Sequence, residues 1–132
     1  MSTPLFRLVC VPAALDGVAD DFVAAMLRDG ELALLRDDSG LHGVDAVARR
    51  LGLATVLLVR AERDARAQER TVIEHAAALP VVWVAPSFGE PTREWARARG
   101  PMTLLVEASE PLSEDEQRRI ERFVALLGRQ TE

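Results

Sequence analysis

The segment 81–92, VVWVAPSFGEPT, is the part of this chain whose residue types and spacing best fit a ligand site. An apolar run is followed by a loop with Ser87 and Gly89, and a helix-like stretch begins after it. Because the N-terminus of a helix offers unpaired N–H groups and a partial positive charge, this loop could hold a small anion. Arg60 or Arg93 could assist through charged hydrogen bonds.

Other side chains extend this candidate site. Phe88 lies in the loop and could stack, together with Trp95, on a planar ligand. Glu107, after the fifth predicted strand, adds a carboxylate to the same edge of the sheet. The alternative is structural, with Ser87 and Glu90 serving only as caps of a helix. The candidate ligand-binding residues are Arg60, Ser87, Phe88, Gly89, Arg93 and Glu107.

The chain has one cysteine and two histidines, which limits catalysis by a cysteine–histidine pair. Cys10 is the single cysteine, and a nucleophile–base pair with His42 or His75 would need a lowered thiol pKa and hydrogen-bond reach. A cysteine in an apolar strand is more typical of the core. Two histidines and one cysteine also cannot complete a closed zinc site by themselves. We therefore assign no catalytic residue, no metal and no cofactor, and leave open whether the protein is an enzyme.

Known nucleotide and phosphoryl-transfer motifs are absent from the sequence. The turn after the first strand, VPAALDG, lacks the clustered glycines of a dinucleotide fingerprint, and the chain has no lysine for a Walker loop. Phosphoacceptor receiver domains need acidic residues after strand one, an Asp after strand three and a Lys after strand five. Those places hold 11–12 (Val-Pro), Arg60 and Glu107.

The segment 57–65, LLVRAERDA, resembles the strand-to-helix signature of Toprim domains, in which a Glu and an Asp four residues later bind a metal ion. Asp64 keeps the Asp position, but Arg60 stands where the Glu is required. A cation site built on an arginine is electrostatically unfavourable. The resemblance therefore does not imply the Toprim activity.

Apolar runs alternate with segments of helical period along the whole chain. Gly30, Gly52 and Gly128 are predicted to end helices, and Asp16 and the capping box of Ser113 with Glu116 are predicted to begin them. The predicted strands are 6–11, 31–36, 54–59, 81–85 and 102–106, and the predicted helices are 16–30, 44–52, 63–79, 92–99 and 113–128.

This alternation predicts a single α/β domain over 1–132, with a five-stranded parallel sheet between two layers of helices. Strand two alternates in character, with Leu32 and Leu34 on one face and Ala33 and Leu35 on the other, so it is predicted to be peripheral. Strands three, four and five are almost wholly apolar. The pattern therefore favours the flavodoxin-like order 2-1-3-4-5 over the Rossmann-like order 3-2-1-4-5.

Charge and hydropathy limit the partners. The net charge is −5, with acidic and basic residues mixed, so the chain lacks the basic surface that nucleic-acid binding requires. No apolar run approaches the roughly 20 residues of a membrane span, and a lone thiol suits a reducing compartment. We expect a cytoplasmic protein that binds neither nucleic acid nor membrane.

The sequence indicates a non-catalytic regulatory or protein-interaction module that binds a protein partner or a second copy of itself, through a sheet edge or the polar first half of the long helix. One alternative is a small enzyme or sensor that binds a nucleotide-like or phosphorylated anion at the carboxyl ends of the strands. Another is a partner-dependent accessory or immunity-type protein.

Overall fold

The computed structural model describes residues 4–37, 40–54, 56–108 and 111–130. Position 55 of the third predicted strand lies outside these residues. The strands are β1 (Phe6–Cys10), β2 (Gly30–Leu34), β3 (Leu57–Leu58), β4 (Val81–Ala85) and β5 (Thr103–Glu107). The helices are α1 (Asp20–Asp29), α2 (Gly40–Leu51), α3 (Ala65–Ala76), α4 (Glu90–Arg99) and α5 (Glu114–Gln130), with short 3-10 turns at Pro12–Leu15 and Gly100–Met102.

All neighbouring strands are parallel, and their order is β3-β2-β1-β4-β5. The α/β class and the parallel sheet are therefore confirmed, but the preference for the flavodoxin-like order is wrong, because this is the Rossmann-like order. The alternation in β2 does not mark an edge, since Leu32, Ala33 and Leu34 are all buried. The apolar β3 is the edge strand, and both of its leucines are exposed.

The helices form two layers, as predicted. Val23 of α1, Val47 of α2 and Ile120 of α5 join one core cluster with the side chains on one face of the sheet. Val72 of α3 and Trp95 of α4 belong to the cluster on the other face. Right-handed crossovers produce this arrangement when the chain first moves outward from β1 to β3 and then returns to β4 and β5.

The helix ends differ from the predicted ones at several points. Asp16 does not cap α1; it ends the 3-10 turn after β1, and Ala19 is the N-cap of α1. Gly128 does not end α5, which continues to Gln130. The predicted capping box is present, because the N–H of Ser113 donates to Glu116 at 2.8 Å and the N–H of Glu116 donates to the Ser113 hydroxyl at 3.1 Å. Within the described ranges, no helix has the length and apolar character needed to cross a membrane.

Candidate functional site

The structure divides the six candidate ligand residues between two places. Ser87, Phe88 and Gly89 follow β4 and line a groove between the first half of α3 and the start of α4, and Arg93 and Glu107 lie beside that loop. Arg60 follows the edge strand β3 and lines a separate depression, which shares no residue with the groove. The predicted cooperation of Arg60 with Ser87 is therefore not seen.

We call this feature the α3–α4 groove. Its volume is about 640 Å³. It is lined by Ala65, Arg66, Glu69, Arg70 and Ile73 from α3, by Ser87, Phe88 and Gly89 from the loop, and by Pro91 and Thr92 from α4. Apolar walls with a few polar groups, in a space of some hundreds of cubic ångströms, are typical of small-molecule sites. The groove lies at the carboxyl edge of the sheet, where open α/β folds bind ligands.

The N-terminus of α4 is already bonded to an anion, and the anion belongs to the chain itself. The Glu69 carboxylate accepts a hydrogen bond from the backbone N–H of Gly89 at 3.0 Å and another from the Thr92 hydroxyl. Gly89 is the N-cap of α4, and no capping side-chain bond comes from the residues next to it. Neither Ser87 nor Glu90 caps the helix as the structural interpretation expected, because Glu69 supplies that charge from α3.

No pattern in the sequence identifies Glu69 as a residue of this site. It lies 20 residues before Gly89, in the helix half that the sequence describes only as polar. Contacts of this kind depend on how α3 and α4 pack side by side on the sheet. Local spacing cannot predict them, since capping motifs are recognised only within a few residues of the helix end.

The aromatic residues mainly build the wall behind the groove. Phe88 is buried and meets Trp83 edge to face, with ring centroids 5.1 Å apart. Trp95 contacts the other side of Trp83 at 6.4 Å, and the Arg99 guanidinium lies 4.6 Å from the centre of the Trp95 ring. Trp95 is thus a packing residue and does not line the groove, whereas Phe88 does.

Arg93 ties the loop to the end of β5. Its Nε donates to the carbonyl oxygen of Phe88 at 3.2 Å, and its guanidinium forms an ion pair with Glu107. Both side chains are about half exposed, so the pair contributes modestly to stability. Its geometric effect is to fix the backbone at Phe88, which forms one wall of the groove.

Two arginines on the other wall have no such partner. Arg66 and Arg70 are exposed, and within the described residues neither forms an ion pair or a side-chain hydrogen bond. Arg66 lies in the first turn of α3, and Asp64 is the N-cap of that helix, where its carboxylate accepts from the Ala67 N–H at 2.8 Å. The two positions are i and i+4, so their side chains lie on the same side of the helix. The α3 wall of the groove is therefore locally positive.

The turn after β1 is hydrogen-bonded to three other parts of the chain. The Ala13 N–H donates to the Asp37 carboxylate at 3.3 Å, and the Arg50 guanidinium donates to the Leu15 carbonyl at 2.7 Å. The connection from β5 to α5 also reaches this turn, because the N–H of the buried Leu112 donates to Ala14 at 3.0 Å. These bonds join the turn to Asp37, to Arg50 of α2 and to Leu112. The depression beside it, of about 230 Å³, is small.

Cys10 and the histidines do not form a catalytic pair. Cys10 is buried in the cluster that packs against α1, α2 and α5, and burial raises the pKa of its thiol to about 12. His75 is on the opposite face of the sheet, where its Nδ1 lies 3.0 Å from the Arg7 guanidinium. His42 is exposed on α2. A thiol with this pKa is uncharged at neutral pH and is a poor nucleophile.

Among the residues that the structure describes, no cluster of three or more His, Cys, Asp or Glu side chains could hold a metal ion. Comparison of the chain with protein-family models, with curated proteins and with solved structures gave no match. Function therefore has to be inferred from the groove and its surroundings.

Proposed function

We propose that this protein is a non-catalytic regulatory domain that binds a small anionic, nucleotide-like or phosphorylated ligand in the α3–α4 groove. The observation that carries the proposal is the unpaired couple Arg66 and Arg70 on one wall of the groove, facing the apolar wall at Phe88. A ligand with a phosphate or carboxylate and an adjoining ring or apolar group complements both walls.

The positions of the two arginines favour an anion because their charges lie close together on α3, and the Asp64 carboxylate at the N-cap is directed to the Ala67 N–H instead of to either guanidinium. A cation in the first turn of a helix opposes the positive end of the dipole, and like charges at i and i+4 repel each other by about 0.2–0.5 kcal/mol. Glu69 adds one negative charge to this wall, but its carboxylate is directed to Gly89 and Thr92 and forms an ion pair with neither arginine. A bound anion would relieve the repulsion and would form charge-assisted hydrogen bonds with the guanidinium groups.

The opposite wall supports an apolar or planar part of the ligand. Ile73, Phe88 and Pro91 contribute apolar surface to the groove, and Ser87 contributes an exposed hydroxyl. The packing of Phe88 against Trp83 holds this wall in place. A preformed wall lowers the entropic cost of binding, because fewer side chains have to become ordered.

The non-catalytic part of the proposal is supported by the state of the reactive groups. The thiol of Cys10 is buried and protonated. The carboxylates nearest the groove are engaged, Glu69 with the start of α4 and Glu107 with Arg93. Each of these two carboxylates therefore has a structural role in the loop between β4 and α4 or beside it.

A thermal-shift panel of nucleotides, phosphosugars and aryl phosphates tests the proposal. We expect at least one compound to raise the melting temperature by several degrees, since a ligand at 100 times its Kd stabilises by about 2.7 kcal/mol. Arg66→Gln and Arg70→Gln should each abolish most of the shift, and Ser87→Ala should reduce it.

Two matched variants serve as controls. Arg119→Gln changes an exposed arginine on α5, and Arg60→Gln changes the arginine that the structure separates from the groove; both should keep the full shift. A flat panel would refute the proposal. Equal loss of the shift in Arg119→Gln and Arg70→Gln would also refute it, because the effect would then follow total charge.

A further inference from the structure

We propose that β3 is a dimerisation edge, at which β3 of a second copy of this chain pairs antiparallel to it across a two-fold axis and joins the two five-stranded sheets. This inference is independent of the α3–α4 groove, which lies against β4 and not against β3.

The exposure of β3 calls for a partner that covers two faces at once. Leu57 and Leu58 are 39% and 37% exposed. Leu57 pairs in register with Ala33 and Leu58 with Leu34, and consecutive residues of a strand point to opposite faces of the sheet. A helix or loop laid on the sheet would cover only one of the two leucines. Continuation of the sheet by another strand covers both.

The backbone of β3 has the groups that such pairing needs. The Val59 N–H donates to the Leu34 carbonyl at 2.9 Å, so residues 57 and 59 direct their polar groups toward β2. Because alternate residues of a strand face opposite sides, the N–H and C=O of Leu58 point away from the sheet. The strand is short, with two residues, which limits its free edge, but it carries neither the proline nor the charged side chain with which natural proteins also protect an edge.

The other edge of the sheet differs. In β5, Leu104 and Leu105 are only partly exposed, and the strand ends in the charged Glu107, which is paired with Arg93. Contact between α4 and β5 and between α5 and β5 protects both faces of that strand. Of the two edge strands, only β3 consists wholly of exposed leucines.

A hollow beside β3 can receive side chains of the second copy. It has a volume of about 360 Å³ and is lined by Leu27, Gly30, Glu31, Leu32, Leu53, Val56 and Leu57. Leucines of this kind contribute about 25 cal/mol for each Å² of apolar surface that is removed from water. Side chains of each copy that enter the hollow of the other copy give the two-fold contact a hydrophobic centre.

The surroundings of β3 favour a second copy over an unlike protein. The segment 51–59, LGLATVLLV, contains no charged residue, although the whole chain has a net charge of −5. The charged residue of the hollow, Glu31, is paired with Arg7, so two copies can meet here with less like-charge repulsion than at other surfaces. The segment itself has no charge with which to select an unlike partner. A two-fold axis brings the same apolar strand to both sides, which is the requirement of an isologous interface.

Sedimentation analysis of the wild-type chain from low to high micromolar concentration tests this proposal. We expect the mass to rise from 14.5 kDa toward twice that value as the concentration increases. Leu58→Lys should keep the mass at one chain, because the lysine would be buried opposite the second copy. Leu41→Lys and Leu126→Lys are the matched controls; they alter more exposed leucines, on α2 and α5, and should dimerise normally.

Amide hydrogen exchange gives a second measurement that needs no variant. The Leu58 amide should exchange rapidly in dilute protein and slowly in concentrated protein, as it acquires an acceptor from the second copy. The Val59 amide is the internal control, because it is bonded to Leu34 in a single chain. A wild-type mass of one chain at every concentration would overturn the proposal. So would a Leu58→Lys variant that forms dimers as readily as Leu126→Lys.

Discussion

The Glu69 carboxylate on α3 accepts a hydrogen bond at 3.0 Å from the backbone N–H of Gly89, the N-cap of α4. A second bond comes from the hydroxyl of Thr92, which is buried. Helix N-termini favour negative charge because of their dipole and their unpaired donors. One side chain of α3 therefore satisfies the start of the next helix and fixes the distance between the two walls of the groove.

Removal of this carboxylate should destabilise the protein. We expect Glu69→Ala to lower the free energy of unfolding by about 1–2 kcal/mol, the upper part of the range for a lost N-cap, because a buried hydroxyl also loses its acceptor. Glu69→Gln should cost less, since its amide oxygen can still accept. Urea denaturation is the measurement, with Glu74→Ala, at an exposed position of the same helix, as the control. Equal losses in Glu69→Ala and Glu74→Ala would contradict this role.

His75 makes stability depend on pH in a defined direction. Its Nδ1 accepts from the Arg7 guanidinium at 3.0 Å, which requires a neutral ring. Burial, followed by the charge of Arg7, lowers the pKa of His75, while Glu31 acts in the opposite direction. The unfolded chain therefore binds a proton more readily than the folded one.

The contribution of His75 to stability is complete above the unfolded pKa, about 6.5, and is lost as the pH falls below that value toward the folded pKa. We expect the free energy of unfolding, measured by urea titration, to fall more between pH 7.5 and pH 5 in the wild-type protein than in His75→Gln. His42→Gln, at an exposed histidine on α2, should keep the pH dependence of the wild type. An equal fall in the free energy of unfolding for the wild type and His75→Gln would show that the contact with Arg7 is not sensitive to protonation.

The Cys10 thiol should be unreactive in the native protein. It is fully buried, and its pKa is raised to about 12 by desolvation. We expect alkylating reagents or aromatic disulfides to modify it at neutral pH only after denaturant is added. Leu126→Cys places a second thiol on the exposed side of α5 and should react at once, which provides the positive control. Rapid native-state labelling of Cys10 would require the sheet to open near β1.

Gly30 is required for close packing at the start of β2. A Cβ at this position would lie 2.5 Å from ring carbons of the buried Phe6. Gly30→Ala should therefore destabilise by about 1–3 kcal/mol, the usual cost of overpacking. Gly128→Ala is the control, because a Cβ in that part of α5 meets no atom within 4 Å. It should raise stability by up to about 1 kcal/mol, as alanine favours the helix over glycine. Equal melting temperatures for the two variants would contradict the packing argument.

The sequence determined those features that depend on residues close together in the chain. Alternating apolar runs and helical periods predicted five strands, five helices and a parallel sheet, because these periods follow from backbone geometry alone. The capping box of Ser113 and Glu116 was predicted for the same reason, since its two bonds span three residues. Placement of Cys10 in the core followed from its apolar strand.

Only the tertiary structure decided the order of the strands and the contents of the candidate site. An apolar strand can lie at the centre or at an edge, and β3 lies at the edge because of where the crossover helices pack rather than because of its own residues. Glu69 and Gly89 meet across 20 residues, and Arg93 and Glu107 across 14. Such contacts depend on the relative positions of packed helices and strands. The periodicity of apolar residues along the chain does not predict those positions.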